Sequence, residues 1–264
     1  MCKKLLTTMI VVVIVGTTFI STYLASAGPQ GKGNDRVLSK IKFIHYRKPP
    51  GKPSWTPGGK PDGKEKDEGY YTYLAKGAKW KTTENFQFNS YNASEDDGVN
   101  TPLVEGAILD GMIEWEAPGE LDLTLEIFGE LQDAENLGEL NLEELQNQNT
   151  ISFRNFGDQN IIAQAIVWGY FGGPPPQREI IEAHIELNDE FVWGVIENPD
   201  DPGQDPPMDL QNILTHELGH CAGMGDLYLT DAIEETMYGY SAEGETNKRD
   251  LYKGDMAGIS GLYE

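Results

Sequence analysis

Histidine and cysteine are both scarce in this 264-residue chain, with four of the first and two of the second. Cys2 falls in an N-terminal segment that is expected to be removed. The mature chain then holds Cys221 alone, so an intramolecular disulfide is excluded, and Cys221 is expected to pack as a small apolar side chain. Basic residues are also few. Twenty Lys and Arg face forty-three Asp and Glu, a net charge of −23. That balance argues against nucleic acid as a partner, because nucleic-acid binding wants a basic footprint.

Long apolar runs are missing except near the start. Lys3 and Lys4 precede an apolar run over residues 5–20, and Ala25-Ser26-Ala27 supplies a small-residue cleavage site. This reads as a secretory signal peptide over residues 1–27, cut after Ala27. An uncleaved anchor is the alternative; the run is short and broken by threonines. The expected location is secreted, with no membrane contact once the signal is gone. Residues 28–69 are rich in Gly, Pro and Lys and carry a net charge of +5, whereas residues 70–264 carry −30. The basic segment reads as a solvated linker or as a prosegment that docks on the acidic domain by charge attraction. Within it, residues 37–46 have the composition of a strand.

The acidic domain, about 195 residues long, is large enough for one core. Strands are expected over 71–80 and 85–91, then a helix with Pro102 in its first turn and Val104, Ile108, Met112 and Trp115 along one face. Further strands are expected over 121–128, 150–156 and 161–171, with an acidic stretch over 132–149 left as a short helix or loop. Asn92-Ala93-Ser94 is a weak glycosylation signal. In the last strand Ile181, Ala183, Ile185 and Leu187 alternate with Glu182, His184, Glu186 and Asn188, which suggests one buried and one exposed polar face. His184 is read as part of that exposed face rather than as a metal ligand. Leu251, Met256, Ile259 and Leu262 run at near-helical spacing to the end, with Asp250 or Asp255 near the start of that helix.

The chemistry concentrates in Thr215-His216-Glu217-Leu218-Gly219-His220-Cys221-Ala222-Gly223-Met224-Gly225-Asp226. Two histidines four apart on a helix project from the same side. That spacing lets both imidazoles reach one zinc ion at about 2.0–2.1 Å. Glu217, beside the first, is placed to hold a zinc-bound water and take its proton. Gly223 ends the helix and turns the chain, which brings Asp226 towards the metal. Asp209 is the expected N-cap, and Leu210, Leu214, Leu218 and Cys221 form the face that packs inward.

The motif resembles that of the metzincin metalloproteases, and among them the matrixins, in the HExxHxxGxxD variant of snapalysin type. Thr236-Met237-Tyr238-Gly239-Tyr240 is similar to their Met-turn. The resemblance implies His216, His220 and Asp226 as zinc ligands, Glu217 as the catalytic base and acid, and Met237 as the floor of the site. It implies an α+β fold with a twisted mixed sheet, an active-site helix and a closing C-terminal helix. It also implies that an extended peptide pairs with the strand over 161–168, and that Tyr238 and Tyr240 line the pocket beyond the cut. No cysteine lies in residues 28–69, so the cysteine-based latency of matrixins has no counterpart there. Calcium held by carboxylates stays open, with no residues to assign.

The reading is therefore a secreted, monomeric zinc endopeptidase acting on peptide or protein substrates. One competitor is an inactive metal-binding domain that acts in peptide or surface binding; the intact Glu217 argues against it. Another is a zinc hydrolase whose third ligand is Glu234 or Glu235.

Overall fold

The computed structural model describes residues 36–48, 69–89, 101–128 and 148–264. The signal-peptide reading of residues 1–27, the Asn92 acceptor and most of the acidic stretch over 132–149 lie outside these residues. In chain order the elements are β1 (Leu38–Arg47), β2 (Glu84–Asn89), α1 (Thr101–Glu116), β3 (Leu123–Phe128), β4 (Asn149–Arg154), β5 (Ile161–Tyr170) and β6 (Glu179–Asn188). There follow β7 (Trp193–Gly194), β8 (Met208–Asp209), α2 (Leu210–Ala222), β9 (Tyr240–Ser241) and α3 (Lys253–Tyr263).

Seven strands form one mixed sheet in the order β3-β2-β4-β6-β5-β1-β9. The run β3-β2-β4-β6 is parallel, and β5 lies antiparallel to β6. Parallel neighbours need crossovers; α1, between β2 and β3, is one of them. The expected α+β class holds.

Helices α1 and α2 pack together under the sheet. Val104, Ile108, Met112 and Trp115 of α1 join Leu210, Leu214, Leu218 and Cys221 of α2 in one core with Phe86, Phe88, Ile151, Ala165, Ile185 and Leu187 from the strands. Burying a side chain of Leu or Phe size contributes about 1.5–3 kcal/mol. The helices come close because α1 has Gly111 at the contact, where a Cβ would sit 3.0 Å from Thr215 Oγ1. Trp115 Nε1 then donates to the Thr215 carbonyl at 2.7 Å and fixes the two helices in register.

Three expectations change. Residues 71–80 form no strand. The segment bends over residues 74–77 and makes only short contacts: to the loop after α2 through the bridge Tyr73–Met224 and the bonds Leu74 N to Gly223 O (3.0 Å) and Gly225 N to Thr72 O (2.9 Å), and to the start of β6 through Ile180 N to Lys79 O (3.1 Å). A ladder cannot propagate along so short a partner. The polar side of β6 is buried rather than exposed: Glu182, His184, Glu186 and Asn188 are all within 2 % of full burial. Because β6 is flanked by β4 and β5, these groups bond sideways. His184 Nδ1 pairs with Thr150 Oγ1 and Nε2 with Glu182 Oε1, both at 2.9 Å, and Arg154 donates to Glu186 at 3.2 Å. Finally, Met256 of α3 faces out, 42 % exposed, while Ile259 and Leu262 enter the core.

Candidate metal centre

Helix α2 starts and stops where its caps dictate. Asp209 Oδ1 accepts from Asn212 N at 2.9 Å and Oδ2 from Ile196 N at 2.9 Å, while Arg249 pairs with the same carboxylate. At the far end Gly223 adopts φ 111°, a left-handed conformation that favours glycine. The helix's last carbonyls are taken by side chains from outside it. Trp80 Nε1 donates to Cys221 O at 2.8 Å, and the Tyr263 hydroxyl donates to Ala222 O at 2.9 Å.

One turn apart on this helix, His216 and His220 point their Nε2 atoms at each other, 3.1 Å apart. The loop after Gly223 brings Asp226 Oδ1 to 3.3 Å from both. Four-coordinate zinc with arms of about 2.0–2.1 Å has ligand atoms about 3.3–3.4 Å apart, so this triangle has the size of one tetrahedral face. The tautomers agree. His216 Nδ1 donates to the Thr236 carbonyl at 2.7 Å and His220 Nδ1 donates to the Met224 carbonyl at 3.1 Å, since a carbonyl can only accept. Both Nε2 atoms are thus left as acceptors facing a carboxylate oxygen. Asp226 Oδ1 is buried and has no hydrogen-bond donor. Three electron-rich atoms converging without a proton between them is the arrangement a cation resolves. These residues could together hold a metal ion.

Charge follows the same geometry. Burial alone would raise the pKa of Asp226, but the His220 charge and the two imidazoles beside the carboxylate override it and hold the carboxyl well below the usual range. Burial lowers His216. Burial would also lower His220, yet the Asp226 charge outweighs it and raises the group. Burial pushes Glu217 up to about 8. A divalent cation beside it would draw that value back down.

Glu217 is fully buried, with Oε1 3.1 Å from His45 Nδ1 and Oε2 without a donor. His45 was no part of the expected site, although it comes from β1, 172 residues earlier in the chain. Its Nε2 lies 3.0 Å from Ser241 Oγ, and burial, reinforced by His216, lowers its pKa well below the ordinary value. His45, His216 and Glu217 form a second group of mutually close ligand atoms that shares His216 with the first. The scarcity of histidine was the signal available: three of four histidines meet here.

Other contacts hold the ligands in place. Tyr228 donates to Asp226 Oδ2 at 3.1 Å and so turns Oδ1 towards the imidazoles. Asp255 accepts from Thr236 N at 2.6 Å, Met237 N at 3.2 Å and Tyr252 N at 3.1 Å, which ties the 236–237 turn to the start of α3. Met237 lies beneath α2, at Gly219, where a Cβ would run into its sulfur and into Trp115. Glu235 is excluded as a metal-binding group by its own bonds, accepting from Tyr70 N at 3.0 Å and Gly254 N at 2.9 Å. Glu234 is exposed.

Strand β5, the expected edge for an extended peptide, is not an edge. Strand β1 pairs along it antiparallel, from Leu38–Tyr170 to Tyr46–Ile161. Tyr240 lies in β9, where Tyr46 pairs with it, and Tyr238 packs against Tyr240 with ring centroids 5.9 Å apart.

No curated protein matches the chain by sequence. The matrixin family model matches residues 79–264, a stretch that contains the triad, Glu217 and the Met237 turn but not β1. A match over that much of the chain, on a helix and turn that bring two imidazoles and a carboxylate together, means that the protein belongs to the matrixin family of zinc metallopeptidases.

Proposed function

We propose that the chain is a secreted zinc endopeptidase in which His216, His220 and Asp226 hold the metal and Glu217 is the catalytic base and acid. The observation that carries this is the triangle of three acceptor atoms 3.1–3.3 Å apart with a buried carboxylate beside it. Zinc, when bound, supplies Lewis acidity that activates water and polarises the scissile carbonyl. Glu217 takes the proton of the attacking water and returns it to the leaving amine nitrogen. Tyr228 keeps Asp226 aimed inward, and the Thr236 carbonyl keeps the His216 ring turned with Nε2 towards the site. The substrate is a peptide or protein whose scissile carbonyl meets the metal beside Glu217.

The test combines metal content with cleavage. The chain should bind one zinc, lost on Asp226→Ala and kept on Glu234→Ala and Glu235→Ala. Casein cleavage should disappear on chelation and on Glu217→Ala while the Glu217→Ala chain still binds zinc. Zinc bound with no Glu217-dependent cleavage under any condition would leave a binding domain instead.

A further inference from the structure

Strand β1 is an addition to the matched family region, which begins at residue 79. It lies along β5, the strand expected to pair with an extended peptide. On one side it pairs antiparallel with β5 from Leu38–Tyr170 to Tyr46–Ile161; on the other, Tyr46 and Arg47 pair parallel with Tyr240 and Ser241 of β9. Arg47 N donates to Asn160 O and Lys48 N donates to Ser241 O, both at 2.8 Å. The strand is therefore gripped by main chain from both flanks.

Its inward side chains meet the site. Phe43 and His45 share one face of the strand, being two residues apart. The Phe43 ring stacks on His220 with centroids 3.9 Å apart and planes 7° apart. The His45 ring lies 4.0 Å from that of His216, tilted by 44°. His45 then reaches past His216 to Glu217 Oε1 and Ser241 Oγ. The main chain joining residues 43 and 45 consequently crosses above the histidine pair, and the catalytic carboxylate is already hydrogen-bonded.

Charge favours the same placement. The strand and its ends carry Arg36, Lys40, Lys42, Arg47 and Lys48 in a chain that is strongly acidic from residue 70 on. Arg36 pairs with Glu179 at 2.8 Å and Arg47 with Glu243 at 2.6 Å. These pairs are partly exposed and contribute little each, about 0–1 kcal/mol. The ladder and the two ring contacts hold the strand, and the charges orient it.

We propose that β1 is a resident pseudosubstrate: it fills the peptide groove along β5, and His45 occupies the pocket beside Glu217 that the residue after the cut would enter. This rests on the peptidase reading of the same groove. The groove's own ligand class follows from the occupant, namely an extended basic peptide with an aromatic residue two positions before the pocket. A competent groove is then only a small fraction of the population, and apparent substrate affinity falls by that fraction.

The test uses the full chain with Phe43→Ala/His45→Ala, and separately Ile44→Pro, which removes a main-chain donor from the strand without touching the side-chain anchors. Zinc content and melting temperature establish that each variant is folded. One measurement is fluorescence anisotropy of a labelled peptide of sequence LSKIKFIHYR; the other is Glu217-dependent cleavage of a basic reporter peptide. Saturable binding of the labelled peptide to either folded variant, at least tenfold tighter than to the parent, supports the proposal, and so does a cleavage rate raised tenfold or more. Equal peptide binding by parent and folded variants overturns it, as does parent cleavage as fast as theirs. Tighter peptide binding without cleavage in any zinc-loaded chain keeps the pseudosubstrate and refutes the peptidase, so the two failures are distinct.

Discussion

Replacing Asp255 by alanine tests how the Met237 turn is held. Its carboxylate, fully buried, accepts from the backbone N–H groups of Thr236, Met237 and Tyr252. Two of these donors, on Thr236 and Met237, belong to buried residues. Each buried donor left without a partner costs about 1–3 kcal/mol. Tyr252 is half exposed and can rehydrate. Relief of a buried carboxylate next to Glu235 offsets part of the loss, so Asp255→Ala should destabilise by about 2–4 kcal/mol, a drop of about 5–12 °C for a domain of this size. The same change should weaken zinc, because the Thr236 carbonyl orients His216. A loss of about 10–100-fold in metal affinity is expected when such a supporting group goes.

The pH dependence has a definite sign. Burial and the Glu235 charge raise Asp255 to about 7. The folded state then keeps this proton at pH values where the unfolded carboxyl, at about 3.9, has released it. Between those values the unfolded chain binds fewer protons, so this group's contribution to stability falls as pH rises through the window and levels off above it. The stability gap between the parent and Asp255→Asn should accordingly be wider at pH 5 than at pH 7.5. Denaturant melts at both pH values and zinc competition with a chromogenic chelator measure all three quantities. An Asp255→Ala chain with unchanged melting temperature and unchanged zinc affinity would refute the reasoning.

Tyr228→Phe should leave the fold intact but free Asp226 Oδ2, lowering zinc affinity about 10–100-fold by chelator competition, and unaltered affinity would show that the hydroxyl does not steer the carboxylate. Asp209→Ala removes the cap of α2 and strands Arg249, which is 17 % exposed, so a cost of about 3–5 kcal/mol is expected in urea unfolding; less than 1 kcal/mol would contradict the buried pair. Cys221 is buried, and its thiol is pushed well above the ordinary range by burial. In a Cys2→Ser chain it should resist iodoacetamide until denaturant is added, and rapid native labelling would place it elsewhere.

The sequence and the structure agree most closely where the encoding is local. Histidines four apart share a helix face because of the 3.6-residue turn, and Asp209 and Gly223 end that helix through their own backbone and side-chain chemistry. Those rules need no knowledge of the rest of the fold. Val104, Ile108, Met112 and Trp115 were legible as one packed face for the same reason. Residues 71–80 form no strand, against expectation, because extended composition does not say whether a partner is long enough to pair with. The polar side of β6 is buried against expectation because alternation marks two faces but not whether water reaches the second.

By itself, the chain's order of residues determined the α2 helix, its caps and the spacing of His216, Glu217 and His220, since each depends on neighbours within a few positions. The tertiary structure alone decided what surrounds them: the Tyr228 bond that turns Asp226, the Asp255 clasp on residues 236 and 237, and His45 against Glu217 from 172 residues away. No repeat or propensity encodes contacts over such separations. They exist because packing α2 beneath the sheet brings distant polar groups into a dry space where each must find a partner.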